Sequence, residues 1–227
     1  MFTFKKKIKN VWCKYQVCSF EYPVIITDRD NENNLIDDIN NTIYEDITSF
    51  GDFFNIQLED QEVKKNTLIN ASTEYRVGFS NNSIVSIAIE FSQFIGLNYI
   101  SYINTYNYDI DLCREIVIED IFDAKKDYLV CISKEILNSI EKDTYIYEEE
   151  LESSELEMLD RIKDLITDNF ESKENYRNFY IEEDGIVICF SSYEIIRDNP
   201  ILLEFKIFFE DFYDYLSEYT RSKLLGE

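Results

Sequence analysis

Two periodicities run along this chain. Between residues 178 and 209 three strand-like runs follow one another, two of them continuously apolar and the last alternating at the two-residue period of a strand. Asp184-Gly185 stands between the apolar runs Phe179-Tyr180-Ile181 and Ile186-Val187-Ile188-Cys189-Phe190, which predicts a two-residue hairpin. Gly185 is expected to supply the positive φ of a type I′ turn. Beyond Pro200, residues Ile201, Leu203, Phe205, Ile207 and Phe209 share one parity, while Glu204 and Lys206 share the other. That run predicts a strand with one buried face, and the rest of the chain is expected to gather on this C-terminal sheet.

Alternation also marks earlier segments. Residues 8–22 predict a first strand with Val11, Cys13, Tyr15 and Val17 on one parity. Tyr22-Pro23 should end its regular pairing, because proline has no N–H to donate. Tyr75, Val77 and Phe79 alternate with Glu74, Arg76 and Gly78, and Ser80 to Ser83 turns the chain. Val85, Ile87, Ile89 and Phe91 form a half-buried strand, Gln93 to Asn98 a second turn, and residues 99–109 a polar-aromatic return strand. Three- and four-residue spacing takes over elsewhere. Leu35, Ile36, Ile39, Ile43, Ile47 and Phe50 predict a helix over 35–50 with Gly51 as its stop. Tyr128, Leu129, Ile132, Ile136, Leu137 and Ile140 predict one over 125–140, and Leu156, Leu159, Ile162, Leu165 and Ile166 one over 154–167. Residues 211–225 close the chain as a helix. The expectation is one compact unit over 1–227, α+β in class, with an antiparallel sheet and helices packed mainly on one face.

Composition narrows the function classes. At 227 residues, with 45% hydrophobic and 15% aromatic content, the chain can bury a sizeable core. Its formal net charge of −24 opposes encounter with nucleic-acid phosphates and anionic lipids and favours a basic protein. A solvated acidic exterior with no partner is the plainer reading, and both stay open. There is no histidine, which removes Ser-His-Asp and Cys-His catalysis and every histidine-containing zinc site. The five cysteines are scattered without a CxxC and read as small buried hydrophobes. The basic N-terminus lacks the apolar stretch of a signal peptide, and no run reaches the roughly 18 apolar residues of a membrane span, so a cytoplasmic protein is expected.

Candidate chemistry is sparse. Asp28-x-Asp30-x-Glu32 opens like an EF-hand loop, but Asn33 replaces the glycine and Ile39 the last, bidentate glutamate. Asp109-x-Asp111 and Glu119-Asp120 could be drawn as carboxylate pairs. Among 46 acids such pairs are expected by chance, and turn and cap roles account for them. No Walker loop, GxGxxG or GxSxG is present. The expectation is therefore no enzyme, no cofactor and no metal.

Three stretches resemble one pair of families. Phe20-Glu21-Tyr22-Pro23 followed by a helix bearing Ile39-Asn40 is similar to the N-terminal module of PdaC-type polysaccharide deacetylases, and this likeness covers 8–65. Over 66–227 two further stretches resemble the extracellular domain of RsiV-like, lysozyme-sensing anti-sigma factors. The first runs from Ile84-Val85-Ser86-Ile87 through Thr105-Tyr106-Asn107-Tyr108-Asp109 to Ile118-Glu119-Asp120-Ile121-Phe122. The second is Asn178-Phe179-Tyr180 with Asp184-Gly185-Ile186-Val187, then Phe190 and Tyr193-Glu194-Ile195. The resemblance implies an α+β binding domain without the catalytic deacetylase domain, whose histidine and aspartate ligands have no counterpart here. Where those families read Gly-Gly-Ala-His, this chain reads Ile95-Gly96-Leu97-Asn98.

The functional expectation is a protein-binding domain, sensor- or inhibitor-like, that offers an acidic surface to a basic partner. A structural remnant without a ligand and a carboxylate-based enzyme stay open beside it. The candidate contact is Gln93, Phe94, Ile95, Gly96, Leu97 and Asn98, an apolar sequence where a hairpin connection is ordinarily polar. The alternative is that these side chains fold back and cap the core.

Overall fold

The structure, a computed structural model, describes residues 2–28, 33–60, 63–64, 66–147, 176–191 and 202–227. The expected helix over 154–167, the acidic run at Glu148, and Ile201 lie outside them. The fold is α+β, and the chain divides into two compact units, Met1–Glu115 and Ile116–Glu227.

The first unit is a six-stranded sheet in the order β1-β2-β3-β4-β5-β6, so the larger sheet is N-terminal rather than C-terminal. Strands β1 (Thr3–Cys13) and β2 (Gln16–Ile26) form a hairpin where the alternation pattern predicts a single strand. Its two-residue turn is Lys14-Tyr15, and Lys14 sits at φ 48°. A lysine in that region is unusual, but here the Lys14 ammonium donates to the Leu58 carbonyl at 2.8 Å, which ties the turn to the end of a helix. Pro23 does not stop β2, which pairs on through it to Ile26. Counting back from the closing pair Cys13–Gln16, the Pro23 nitrogen points away from β1. The neighbour on that side, β3, pairs only with Ser19 and Phe20, so the missing N–H costs no ladder bond.

Helix α1 (Asn33–Asp60) connects β2 to β3 (Ile69–Ser80), and these two strands run parallel. The sheet is thus antiparallel except at this pair. A helix of 28 residues returns the chain to its starting end, and the next strand must then run in the same sense. Ile36, Ile39, Ile43, Ile47 and Phe50 are buried as predicted, and the stripe continues through Phe54 and Leu58. Gly51 does not end the helix. A Cβ there would stand 2.9 Å from Phe20 Cε2 and 3.4 Å from Val11 Cγ2, so glycine lets helix and sheet approach. Phe50 meets Phe20, Phe91 and Tyr102 edge-on with ring centroids 5.4, 5.2 and 6.0 Å away. Asn40 clamps the helix to β2, accepting from Ile25 N at 2.8 Å and donating to Ile25 O at 2.9 Å. Strands β4 (Ile84–Ile95), β5 (Asn98–Asp109) and the short β6 (Arg114–Glu115) complete the sheet as antiparallel neighbours.

The second unit holds α2 (Ile118–Ile121), α3 (Tyr128–Tyr147) and an antiparallel meander of β7 (Phe179–Glu182), β8 (Gly185–Phe190) and β9 (Leu203–Phe208). Tyr128, Ile132, Ile136 and Ile140 make the buried stripe of α3, and Phe205, Ile207 and Phe209 are buried as their parity predicts. The hairpin is where it was expected, but its turn is Glu183-Asp184 and Gly185 is the first residue of β8, not at positive φ. Glycine is needed there for a different reason. A Cβ at Gly185 would lie 2.3 Å from the Ile207 carbonyl oxygen of β9. Lys206 ties the turn together, pairing with Glu182 and Asp184 at 2.7 Å each.

The single closing helix expected over 211–225 is replaced by shorter pieces: a 3-10 turn at Tyr213–Tyr215, α4 (Glu218–Thr220) and a π-helical turn at Arg221–Leu225. The break falls where Leu216 bridges to Phe122 and Ser217 caps α4, its Oγ accepting from Thr220 N at 3.0 Å.

Candidate functional site

The alternation of β4 continues into the turn that the sequence marks and splits it between two faces. Gln93 and Ile95 point into the core, where Gln93 Nε2 donates to Gln57 Oε1 at 2.6 Å. Phe94 is half-buried on the opposite, outer face. Gly96 and Leu97 form the two-residue connection. Gly96 lies at φ 67° and donates to the Leu68 carbonyl at 2.7 Å. Leu97 is 102% exposed, and Asn98 is exposed beside it. Folding back onto the core therefore describes Ile95 and Gln93, while Phe94 and Leu97 face outward.

Helix α1 covers one face of the sheet, and cross-strand register assembles the other into rows. Trp12 pairs with Val17, Asn70 with Phe94, and Phe94 with Tyr99. Continuing the parallel register Ser19–Ser72 sets Val17 beside Asn70, and the Gln16 side chain donates to Ile69 O at 2.5 Å in the adjacent register. Trp12, Val17, Asn70, Phe94 and Tyr99 thus form one row across five strands, about 19 Å long at the usual strand spacing. Trp12 and Leu68 are each 68% exposed, so with Leu97 three exposed apolar side chains stand at one end of the sheet, Trp12 near the end of β1 and the other two in connections. The next row is small and polar: Asn10, Ser19, Ser72 and Ser92. In the third, Glu21, Glu74 and Glu90 stand between an exposed Ile8 at one end and a buried Ile103 at the other.

Side-chain bonds order this face. Ser19 donates to Asn10 at 2.8 Å, Tyr99 to Ser92 at 3.3 Å, and Ser92 to Glu90 at 2.9 Å. Lys6 pairs with Glu21 at 2.6 Å, whereas Glu74 and Glu90 stand directly opposite each other. Like charges in that arrangement repel and create a local demand for a cation. A shallow groove is lined by Asn70, Ser72, Glu74, Glu90, Ser92, Phe94 and Tyr99. Sequence reading missed Trp12, Val17 and Leu68. The chain's only tryptophan was the available signal, but with β1 and β2 read as one strand nothing placed it in one row with Phe94 of β4.

The carboxylate pairs have local duties. Asp109 accepts from Leu112 N at 2.9 Å, Asp111 accepts from the Ser83 hydroxyl at 2.5 Å, and Asp120 accepts from Val117 N at 2.9 Å at the start of α2. Among the described residues no group of three or more histidine, cysteine, aspartate or glutamate side chains could hold a metal. No described helix is long and apolar enough to cross a membrane.

No curated protein matches the chain. A crystal structure of a DUF3298 family member from Bacteroides fragilis is similar in fold, with a TM-score of 0.54 at 16% identity over 97% of this chain and 94% of that one. A DUF3298 family protein from Pseudomonas aeruginosa aligns with a TM-score of 0.48 at 11% identity, over 96% and 95% of the two chains. Within the sequence itself, residues 119–196 match the family described as "Protein of unknown function (DUF3298)".

Proposed function

We propose that this chain is a non-enzymatic binding domain that docks a basic protein on the outer face of its six-stranded sheet. The observation that carries the proposal is the ordering of that face: a largely apolar row interrupted by Asn70, then a polar row, then a run of three glutamates. Apolar anchors supply contact area, while the acidic row and the overall charge of −24 accelerate encounter and select against acidic partners. The likeness to sensing domains that recognise lysozyme supports a compact, strongly basic partner.

The test uses surface plasmon resonance with lysozyme and equally basic control proteins as probes, at two salt concentrations. A basic protein of this class should bind, with an association rate that falls as salt rises. Phe94→Ala with Leu97→Ala should cost about 2 kcal/mol, or about 30-fold in Kd, at unchanged melting temperature. Binding unaffected by the double substitution, or no binding to any basic probe, would refute the proposal.

A further inference from the structure

The outer edge of β1 is a second kind of surface, distinct from the face of the sheet. β1 is the first strand in the sheet order, and among the described residues no strand pairs with its far side. Its register with β2 runs without a bulge from Thr3–Ile26 to Cys13–Gln16, and β1 contains no proline. Counting from the closing pair Cys13–Gln16, the odd-numbered residues of β1 bond to β2. Phe4, Lys6, Ile8, Asn10 and Trp12 therefore turn both N–H and C=O to the open side. These groups repeat over about 27 Å at the usual rise of a strand. A straight, unpaired ladder of that length is a template for one more strand.

We infer that β1 accepts an extended acidic segment of another protein as an added antiparallel strand. Charge selects the occupant. Acids outnumber bases 46 to 22 in the chain, yet Lys5, Lys6, Lys7 and Lys9 fall within five positions of this strand. Lys6 is engaged with Glu21 at 2.6 Å, and Lys9 with Thr48 at 2.5 Å and with the Tyr44 ring, 4.4 Å from its centroid. Lys5 and Lys7 are exposed and share one side of the strand, so carboxylates two residues apart on an added strand would stand directly opposite them. Screening beyond about 8 Å at physiological ionic strength leaves these lysines, rather than the net charge of −24, to meet that segment. Lysines on an edge ordinarily prevent pairing, and here they prevent one kind. In a two-fold pairing of two copies, centring on Lys6 sets Lys5 against Lys7. Centring on Lys7 sets it against itself, and centring on Ile8 sets Lys7 against Lys9. Like charges directly opposite destabilise a pair, so the edge is closed to its own copy and open to an acidic strand. On the other side of β1, Ile8 and Trp12 are 55% and 68% exposed, which favours apolar residues opposite them.

The experiment titrates the isotope-labelled, full-length protein with the end-blocked peptide Val-Thr-Ser-Thr-Val-Glu-Thr-Glu-Val, whose first residue is set opposite Trp12 and its last opposite Phe4. Nuclear magnetic resonance should show slowed exchange at the amides of Phe4, Lys6, Ile8, Asn10 and Trp12. N-methylation of the third, fifth and seventh peptide residues, whose amides face β1, should abolish binding. The same change at the fourth, sixth and eighth should not. Lys5→Glu with Lys7→Glu should weaken binding by about 10-fold or more at unchanged melting temperature. Lys125→Glu with Lys134→Glu, an equal charge change at exposed lysines of the second unit, should leave it unaltered. The basic protein proposed for the outer face takes no part in this titration. Absence of binding, equal affinity for the two methylated peptides, or full affinity after lysine replaces both peptide glutamates would overturn the inference. So would a dimer of the free protein that already protects the five edge amides.

Discussion

Gly185 and Gly51 lack a side chain for different neighbours, and the difference predicts opposite outcomes. At Gly185 the obstacle is a carbonyl oxygen of β9, 2.3 Å from any Cβ, and backbone in the middle of a sheet cannot step aside. Gly185→Ala should destabilise the protein by about 2 kcal/mol or more and lower its denaturation midpoint accordingly. At Gly51 the nearest atom belongs to the Phe20 ring, and alanine gains up to about 1 kcal/mol of helix propensity. Gly51→Ala should be close to neutral in the same measurement. A neutral Gly185→Ala would mean that β8 and β9 do not approach as closely as described. Both glycines were visible in the sequence as punctuation. Their reasons were not, because each lies in a partner more than 20 residues away, and turn rules consult only adjacent residues.

Elements were legible where local pattern and tertiary role coincide. Helix α1 and strand β9 follow their apolar spacing because each rests one face on a core, whereas β8 throughout and β4 over Ile84–Ile89 are buried on both faces, so the half-buried strand expected at β4 is half-buried only in its second half. The β1–β2 hairpin was not legible, since its turn uses Lys14 at positive φ instead of glycine or asparagine. What secures that lysine is the end of α1, a contact 44 residues distant in sequence. The outer-face rows stayed hidden for the same reason, as they exist only once five strands are in register. Packing of α1 on β5 also carries a pH signature. Tyr106 donates to Asp46 of the helix at 2.6 Å, and burial together with that bond raises its pKa well above 10; burial first, then the Asp46 charge, pushes Tyr102 to about 12. The folded state thus holds these protons more tightly than the unfolded chain. Stability is fully present below about pH 10 and is lost as pH rises through the folded values. Urea midpoints should fall between pH 9 and pH 11. Tyr106→Phe should lower the neutral-pH stability by about 1–2 kcal/mol and flatten that alkaline decline. An unchanged slope in the variant would place the titrating group elsewhere.

At the scale of the molecule, the first unit is joined across a narrow seam. Strands β1 and β2 share eleven residue pairs, in a register that runs from Thr3–Ile26 to Cys13–Gln16, but the ladder between β2 and β3 is limited to Ser19–Ser72 and Phe20–Thr73. Side chains add to that seam, Gln16 donating to Ile69 O at 2.5 Å and Thr73 to Glu21 O at 2.7 Å, and α1 holds the hairpin from its face through the Asn40 clamp on Ile25 and the lysines riding on the helix, Lys9 on Thr48 at 2.5 Å and Lys14 on Leu58. A sheet assembled in this way should open along its weakest ladder. Native-state hydrogen exchange should show β1 and β2 amides exchanging as one cooperative group, earlier than those of β4, and Asn40→Ala should accelerate that group alone. Uniform protection across both sides of the seam would contradict this. Trp12 and Val17 lie on the hairpin, and Phe94, Leu97 and Tyr99 on the far side. A ligand that grips both would therefore act as a staple, and its arrival should be felt as slowed exchange at amides it never touches.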